Sequence, residues 1–227
     1  MTIDLTWHLS SEGQSALAHL RDAVTGVPKK IFGILDKPSV PPTFEQKAPF
    51  KLALVGKSGV GKTSLVSFLS NQREFVAAQV PGETPGVRVT TVYWPAKVDD
   101  RLILFNLEFW DCGESATKKY NHILPVCKQN ASAVLYTFSF TDKSSFEDIE
   151  AQLARRSNNN AAGCVIVIGT KYGLEDVQVS QADVARLETK HKLSVLRMLF
   201  HQPGTLKNPN ETSFALNFIC QQLLNEV

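Results

Sequence analysis

The chain has 227 residues and a formal net charge of +2, and 43% of its residues are hydrophobic. That length suits one domain of about 150–200 residues with an extension, and the apolar fraction is high enough for a sizeable core. A charge so close to zero argues against a dedicated nucleic-acid-binding protein, because such proteins usually carry a strong basic bias. We therefore expect a folded protein with no nucleic-acid partner.

The ends of the sequence and its cysteines predict a cytoplasmic setting. The start lacks the basic and apolar regions of a signal peptide, and no segment reaches the length of a membrane span. Thr2 excludes N-myristoylation, and the final LLNEV contains no prenylation motif. The four cysteines form no CxxC pair, which favours a reduced protein over a disulfide framework. We expect no lipid anchor, so that membrane contact would come only through partners.

We predict that residues 1–48 form an N-terminal extension to the domain that follows. Ser10 or Ser11 is placed to cap a helix that would run to about Val24. The segment 29–42 contains prolines at three positions, which predict a linker because proline cannot continue a helix. Two roles stay open for the extension: a helix that only packs on the domain, or a segment that binds a partner.

From residue 49 to residue 227, apolar runs alternate with helical patterns. The predicted strands are 50–56, 87–94, 102–110, 133–140, 164–170 and 194–200, and the predicted helices are 62–70, 146–156, 184–192 and 214–224. Strand–helix alternation of this kind implies an α/β domain. We expect a mostly parallel six-stranded sheet with helices on both faces.

Residues 56–63 read GKSGVGKT and satisfy the phosphate-loop pattern GxxxxGK[ST] between a predicted strand and a predicted helix. Glycines let such a loop curl so that backbone N–H groups face an anion, and the helix directs its positive end to the same point. The ammonium of Lys62 would bind the β- and γ-phosphates, and the hydroxyl of Thr63 would bind magnesium. The predicted phosphate-binding residues are Ser58, Gly59, Val60, Gly61, Lys62, Thr63 and Ser64.

Residues 83–87, ETPGV, resemble the first switch segment of the small GTPases, nearest to the Rab branch. The resemblance implies that the Thr84 hydroxyl closes over magnesium and the γ-phosphate. Thr90 and Thr91 lie in the next predicted strand and are weaker candidates for this role. The resemblance also implies a P-loop small-GTPase fold, with GTP or GDP and Mg²⁺ as cofactors.

Residues 109–114, FWDCGE, resemble the second switch segment of the same family. The resemblance implies that Asp111 holds magnesium through water, with Gly113 beside the nucleotide. The family pattern Asp-x-x-Gly-Gln is not kept: either one residue is deleted, or Glu114 stands at the glycine position and Ser115 at the glutamine position. Both alternatives remove the glutamine that orients the attacking water. Glu114 and Ser115 are then the candidate catalytic residues, and we expect hydrolysis to be slow or absent.

The segment after the fifth predicted strand stands where the family reads the base with Asn-Lys-x-Asp. Lys171 would lay its alkyl stem over the base, and Thr170 replaces the asparagine. Gly173 replaces the aspartate that accepts hydrogen bonds from guanine, and a site without that acceptor discriminates less well between bases. Glu175 or Asp176 would substitute for it if the loop shifts. Guanine selectivity therefore stays open at this point.

Three longer stretches, 90–97, 109–124 and 138–149, are similar to a ciliary branch of the Rab-like small GTPases, the subunits of ciliogenesis and planar polarity effector (CPLANE) complexes. The resemblance covers most of residues 5–175. It implies binding to the longin-type subunits, the fuzzy and inturned homologues, at the basal body of the cilium. It also implies recruitment of intraflagellar-transport cargo, membrane trafficking including exocytosis, and association with the cytoskeleton.

Three hypotheses remain for the function. The chain would be a GTP-bound interaction subunit, a cycling Rab-like GTPase that needs an activator, or a pseudo-GTPase scaffold with a structural nucleotide or none. Nucleotide released from freshly denatured protein separates them. GTP favours the first hypothesis, GDP favours the second, and no nucleotide favours the third.

Overall fold

The structure is a computed structural model that describes residues 1–19, 44–46, 49–70, 84–120, 122–158, 163–199 and 209–226. Several expectations lie outside these residues: the proline-rich linker at 29–42, the end of the first predicted helix at Val24, and Glu83 of the first switch segment. Within the described ranges, the structure contains no helix long and apolar enough to cross a membrane.

The described residues form seven strands, seven α-helices and a short 3-10 turn at Trp7–Leu9. The strands are β1 Phe44–Gln46, β2 Phe50–Val55, β3 Val87–Val98, β4 Arg101–Cys112, β5 Ala133–Ser139, β6 Cys164–Thr170 and β7 Val195–Arg197. The helices are α1 Ser11–His19, α2 Lys62–Leu69, α3 Glu114–Lys119, α4 Ile123–Lys128, α5 Lys143–Asn158, α6 Gln181–His191 and α7 Pro209–Asn225.

The sheet confirms the predicted α/β fold, since β3 pairs antiparallel with β4 and every other pairing is parallel. The strand β1 was not predicted, because three residues are too few to show alternation. It pairs with residues 102–104 of β4, whereas β2 pairs with residues 107–111 of the same strand. The strands β1 and β2 therefore lie end to end beside β4, and the sheet is six strands wide.

Helices cover both faces of the sheet, as predicted. Apolar side chains of α2 and α7, such as Leu65 and Ile219, form one buried layer with strand residues that include Leu54. Those of α5 and α6, such as Ile149, form a second buried layer on strand residues that include Val167. Because successive side chains of a strand point to opposite faces, the almost entirely buried strands β5 and β6 supply both layers.

Helix starts differ from the predicted bounds where a cap extends the helix. The helix α6 begins at Gln181 rather than at Val184, because Ser180 and Asp183 form a capping box. Similarly, α5 begins at Lys143, where the carboxylate of Asp142 accepts a hydrogen bond from a backbone N–H of the first turn. Apolar periodicity detects only the buried side of a helix, so a polar first turn escapes it.

The N-terminal segment packs against the end of the β3–β4 hairpin. Ile3 forms an isolated bridge to Val98, and its N–H donates to Gln221 of α7 at 2.7 Å. The Trp7 ring is buried in a small apolar cluster that includes β1 and β4 residues. The hydroxyl of Ser10 accepts a hydrogen bond from the Gly13 N–H at 3.0 Å, so Ser10 is the one of the two predicted cap candidates that makes this contact. These contacts lie at the opposite end of β4 from Asp111.

Candidate functional site

The phosphate loop joins β2 to α2 and is held from within. Gly59 and Gly61 have φ of +77° and +98°, a conformation that glycine adopts without steric cost. The ammonium of Lys62 donates to the carbonyl oxygens of Gly56 and Lys57 at 2.7 and 2.8 Å. The buried ammonium of Lys62 therefore lies at the base of the loop, where it could bind the oxygen atoms of a phosphate.

Three oxygen-bearing side chains meet beside the loop, each from a different element. The Thr63 hydroxyl donates to Asp111 Oδ2 at 2.5 Å, and the Thr84 hydroxyl donates to the same oxygen at 3.1 Å. The two threonine oxygens are 2.8 Å apart. The structure thus brings together the three residues that the sequence predicted for magnesium, although they are far apart along the chain.

Asp111 itself is 1% exposed, and its Oδ1 has no hydrogen-bond partner among the described residues. Burying an ionised carboxylate is costly unless a cation or hydrogen bonds compensate for the lost water. A set of one carboxylate and two hydroxyl oxygens consists of the hard ligands that Mg²⁺ prefers. The residues present therefore fit a magnesium ion, and the unpaired oxygen is the feature that such an ion would explain.

Gly113 allows the two switch segments to approach each other. Its N–H donates to the carbonyl oxygen of Gly86 at 2.9 Å. A Cβ atom at this position would lie 1.9 Å from the carbonyl oxygen of Thr84. Any other residue would push the first segment away, so the glycine is what lets the Thr84 hydroxyl reach Asp111.

Glu114, a candidate catalytic residue, is already engaged on both carboxylate oxygens. Its Oε2 accepts from the Ser58 N–H of the phosphate loop at 2.5 Å, and its Oε1 pairs with Lys118 at 2.6 Å. The hydrogen bond from Lys118 is the main cause that lowers the pKa of Glu114 below its usual value. A carboxylate so acidic is a weak general base at neutral pH. Ser115, the other candidate, lies exposed on α3.

Thr170 and Lys171 both contact the phosphate loop. The Thr170 side chain is fully buried, and its hydroxyl lies 2.5 Å from the carbonyl oxygen of Val60 and 3.0 Å from that of Phe138. It therefore ties β6 to the loop and presents no free group to a base. Lys171 donates to the carbonyl oxygen of Gly59 at 3.1 Å, which stretches its stem across the loop.

Beside Lys171 lies an open pocket whose lining includes Gly173, Glu175 and Asp176. Gly173 has φ of +82°, and a Cβ atom there would meet the side chain of Leu199 at 3.0 Å. An aspartate would be strained at that position, because side chains rarely adopt such a backbone conformation. The carboxylates in this pocket therefore come from positions farther along the loop.

The region that contains this site matches a known protein family. A profile of the Ras family matches residues 51–204, which includes the phosphate loop, Thr84, Asp111 and the Lys171 segment. The chain belongs to the Ras family. Membership in this family implies guanine-nucleotide binding, and the chain is a Rab-like small GTPase by its relatives.

Among those relatives is the protein "Ciliogenesis and planar polarity effector 2". The mouse (Mus musculus) protein is 44% identical over 73% of this chain and 63% of its own length, which is less than two thirds. The human (Homo sapiens) protein is 40% identical over 85% of this chain and 74% of its own length. The "Ras-related protein Rab-11B" of Dictyostelium discoideum is 30% identical over 80% of this chain and 78% of its own length.

Cys112 at the end of β4 and Cys127 of α4 bring their sulfur atoms close together. Their Cα atoms are 7.4 Å apart, beyond the range of about 4.4–6.8 Å that is common for disulfides, so this contact does not overturn the expectation of reduced cysteines. The sequence did not predict the contact, because the two cysteines are 15 residues apart and form no recognised motif. Cys164 and Cys220 are free and buried.

Sequence reasoning also missed the contact between Glu114 and the phosphate loop. The Glu114–Lys118 ion pair follows the four-residue spacing of ion pairs on a helix. This pair could therefore have been predicted from the sequence once a helix was assumed. The bond from Ser58 joins residues 56 positions apart, and no local pattern encodes it.

Proposed function

We propose that this chain is a GTP-binding, Rab-like subunit of a ciliogenesis and planar polarity effector complex that holds its nucleotide for a long time. The observation that carries the proposal is the buried carboxylate of Asp111, which meets Thr63 and Thr84 beside the phosphate loop. The names of the vertebrate relatives indicate the assembly in which such a subunit would act.

The proposed phosphate site consists of the loop from Ser58 to Ser64, with Lys62 as its cation. Lys62 already lies within hydrogen-bond distance of the loop carbonyls, so its charge is oriented before any ligand arrives. Thr63, Thr84 and Asp111 would hold the magnesium ion. When bound, Mg²⁺ would neutralise part of the phosphate charge. Gly113 would keep the two switch segments in contact around it.

Slow hydrolysis is the second part of the proposal. The residue after Gly113 is Glu114 and not glutamine, and its charged side chain is paired with Lys118. A lowered pKa makes this carboxylate a poor acceptor for a proton from water, and its negative charge is unfavourable beside a phosphate. We expect a purified chain to hydrolyse GTP more slowly than an ordinary Rab protein in single-turnover measurements.

The third part of the proposal concerns partners and place. The subunit would bind the longin-type fuzzy and inturned homologues in the cytoplasm at the basal body. There it would support cilium assembly, recruitment of transport cargo and membrane trafficking. Nucleotide would control this binding because Thr84 and α3 lie on segments that respond to phosphate in switch proteins. The extension before residue 49 would then pack on the nucleotide-binding domain, away from the switch segments.

Nucleotide content and partner capture test the proposal together. Protein purified in magnesium is denatured, and the released nucleotide is identified by chromatography. Immobilised fuzzy–inturned pair is then offered the wild type, Lys62→Ala and Thr63→Ala. The matched controls are Lys190→Ala and Thr189→Ala, whose side chains make an ion pair and a hydrogen bond on α6.

Released GTP, with capture lost only in the two loop variants, is the expected result. Released GDP with rapid hydrolysis in cell extract would instead favour a cycling GTPase that uses an activator. A wild-type protein that releases no nucleotide and still binds its partners would overturn the proposal in favour of a scaffold.

A further inference from the structure

An anion of the protein itself occupies part of the anion site. Ser58 is the third residue of the phosphate loop, and its N–H donates to Glu114 Oε2 at 2.5 Å. Backbone N–H groups of such loops are the donors that cradle phosphate oxygens. A carboxylate on one of them stands where a phosphate oxygen would otherwise accept.

Glu114 lies toward the end of the site that a terminal phosphate would use. The charge of Lys62 is close enough to contribute to the lowered pKa of Glu114, after the larger effects of Lys118 and Ser58. In phosphate loops this lysine reaches the β- and γ-phosphates. Glu114 therefore shares with the terminal phosphate both the Ser58 donor and the field of Lys62.

We propose that Glu114 competes with the terminal phosphate of a nucleoside triphosphate for the Ser58 amide, and so sets the preference of this chain between GDP and GTP. The inference rests on the proposed nucleotide binding and adds a specificity-determining residue to it. One N–H cannot serve two anions, and two anions held close together repel each other. Triphosphate binding then requires Glu114 to leave.

The position of Glu114 turns this competition into a movement. Glu114 is the first residue of α3, and α3 contains no buried residue. Little apolar contact is lost when this helix shifts, so the departure of the carboxylate would displace α3 together with Lys118. A partner that binds the displaced α3 would raise the affinity for GTP by the same factor as GTP raises the affinity for that partner.

Nucleotide affinities of the full chain test the competition directly. Dissociation constants for GDP and GTPγS are measured by calorimetry for the wild type, Glu114→Gln and Glu114→Ala. Glu150→Gln is the matched control, since Glu150 pairs with Lys190 at 2.9 Å and its side chain is 27% exposed, against 2.6 Å and 22% for Glu114. Two variants at position 114 guard against one that folds poorly, and circular dichroism verifies the fold of each.

We expect both Glu114 variants to shift the affinity ratio toward GTPγS by roughly tenfold, the effect of one hydrogen bond to a charged group in a partly exposed site. The Glu150 variant should leave the ratio unchanged. Hydrogen exchange of residues 114–119 should be faster with GTPγS than with GDP in the wild type, and independent of the nucleotide in Glu114→Gln.

The outcomes separate this inference from the function on which it rests. If the wild type binds both nucleotides and the Glu114 variants keep its ratio, only the competition is refuted. If the hydrogen-exchange rate of residues 114–119 in the wild type is the same with GDP and with GTPγS, the movement of α3 is refuted. A wild type that binds neither nucleotide would overturn the proposed function and this inference with it.

Discussion

Replacing Gly113 by alanine tests whether contact between the two switch segments builds the proposed magnesium site. The backbone of Gly113, with φ of −65° and ψ of 137°, is one that alanine adopts freely. The added methyl group, however, would lie 1.9 Å from the Thr84 carbonyl oxygen. Since ordinary carbon contacts begin near 3.5 Å, the two segments must separate by about 1.5 Å.

A separation of that size removes the Thr84 hydroxyl from hydrogen-bond reach of Asp111, where it now lies at 3.1 Å. Misplacement of a positioned group by about 1 Å can cost roughly 100-fold in function. We therefore expect magnesium-dependent retention of a fluorescent guanine nucleotide to fall by about 10- to 100-fold in Gly113→Ala, measured as its dissociation rate with magnesium and with a chelator.

Gly86→Ala is the matched control, because it introduces backbone strain without the steric clash that Gly113→Ala introduces. Gly86 has φ of +80°, so alanine is strained there, yet nothing lies within 4 Å of its added Cβ atom. It should lose stability, by about 1–2 kcal/mol, but retain more of the magnesium effect than Gly113→Ala. If Gly113→Ala releases nucleotide no faster than Gly86→Ala, the contact with Thr84 does not build the site.

Three further predictions address the loop support, the base pocket and a helix cap. Thr170→Val should destabilise the protein by about 1–3 kcal/mol in urea unfolding, because it leaves the Val60 carbonyl unpaired, whereas Thr137→Val should cost much less, since the buried hydroxyl of Thr137 has no partner among the described residues. If Glu175 or Asp176 reads the base, changing that residue to its amide should lower the preference for GTP over ATP by roughly tenfold or more in competition binding, and unchanged preference in both variants would exclude this role. Asp142→Ala should cost about 1 kcal/mol at neutral pH by removing a helix cap. The hydrogen bond from Ser144 is the main cause that lowers the pKa of Asp142 below its usual 3.8, so its stabilisation is complete above that pH, and the cost of the substitution should shrink as the pH falls below it.

The fold could be predicted because its signals are local. Most of the six predicted strands are largely apolar runs, and the phosphate loop is a contiguous motif between a strand and a helix. The bounds failed where polar residues decided them, as at the Ser180–Asp183 capping box. The strand β1 failed for a different reason: it is defined by its partner β4 and not by its own three residues.

For the candidate site too, residues in local motifs could be predicted, whereas contacts between distant elements could not. The sequence located Lys62, Thr63, Thr84 and Asp111, because each lies in a motif, and the structure brings the last three together. It could not locate what reaches across from another element. The Glu114–Ser58 bond and the Cys112–Cys127 pair depend on how α3 and α4 pack near the loop, and no spacing rule predicts that. Thr170 shows the converse, a motif position whose side chain faces the protein backbone.

These contacts indicate how a nucleotide site can serve an assembly. Thr63 and Asp111 stand on the regular elements α2 and β4, whereas Thr84 lies just before β3 and Glu114 begins a helix with no buried residue. Phosphate would therefore bind between a half of the site that stands on regular elements and a half that lies outside them or makes little buried contact. A partner that grips α3 and the Thr84 segment would stabilise the bound nucleotide, because coupling between two sites is reciprocal. The proposed slow release and slow hydrolysis would then be properties of the complex. We expect the fuzzy–inturned pair to slow nucleotide dissociation from the wild type but not from Glu114→Ala.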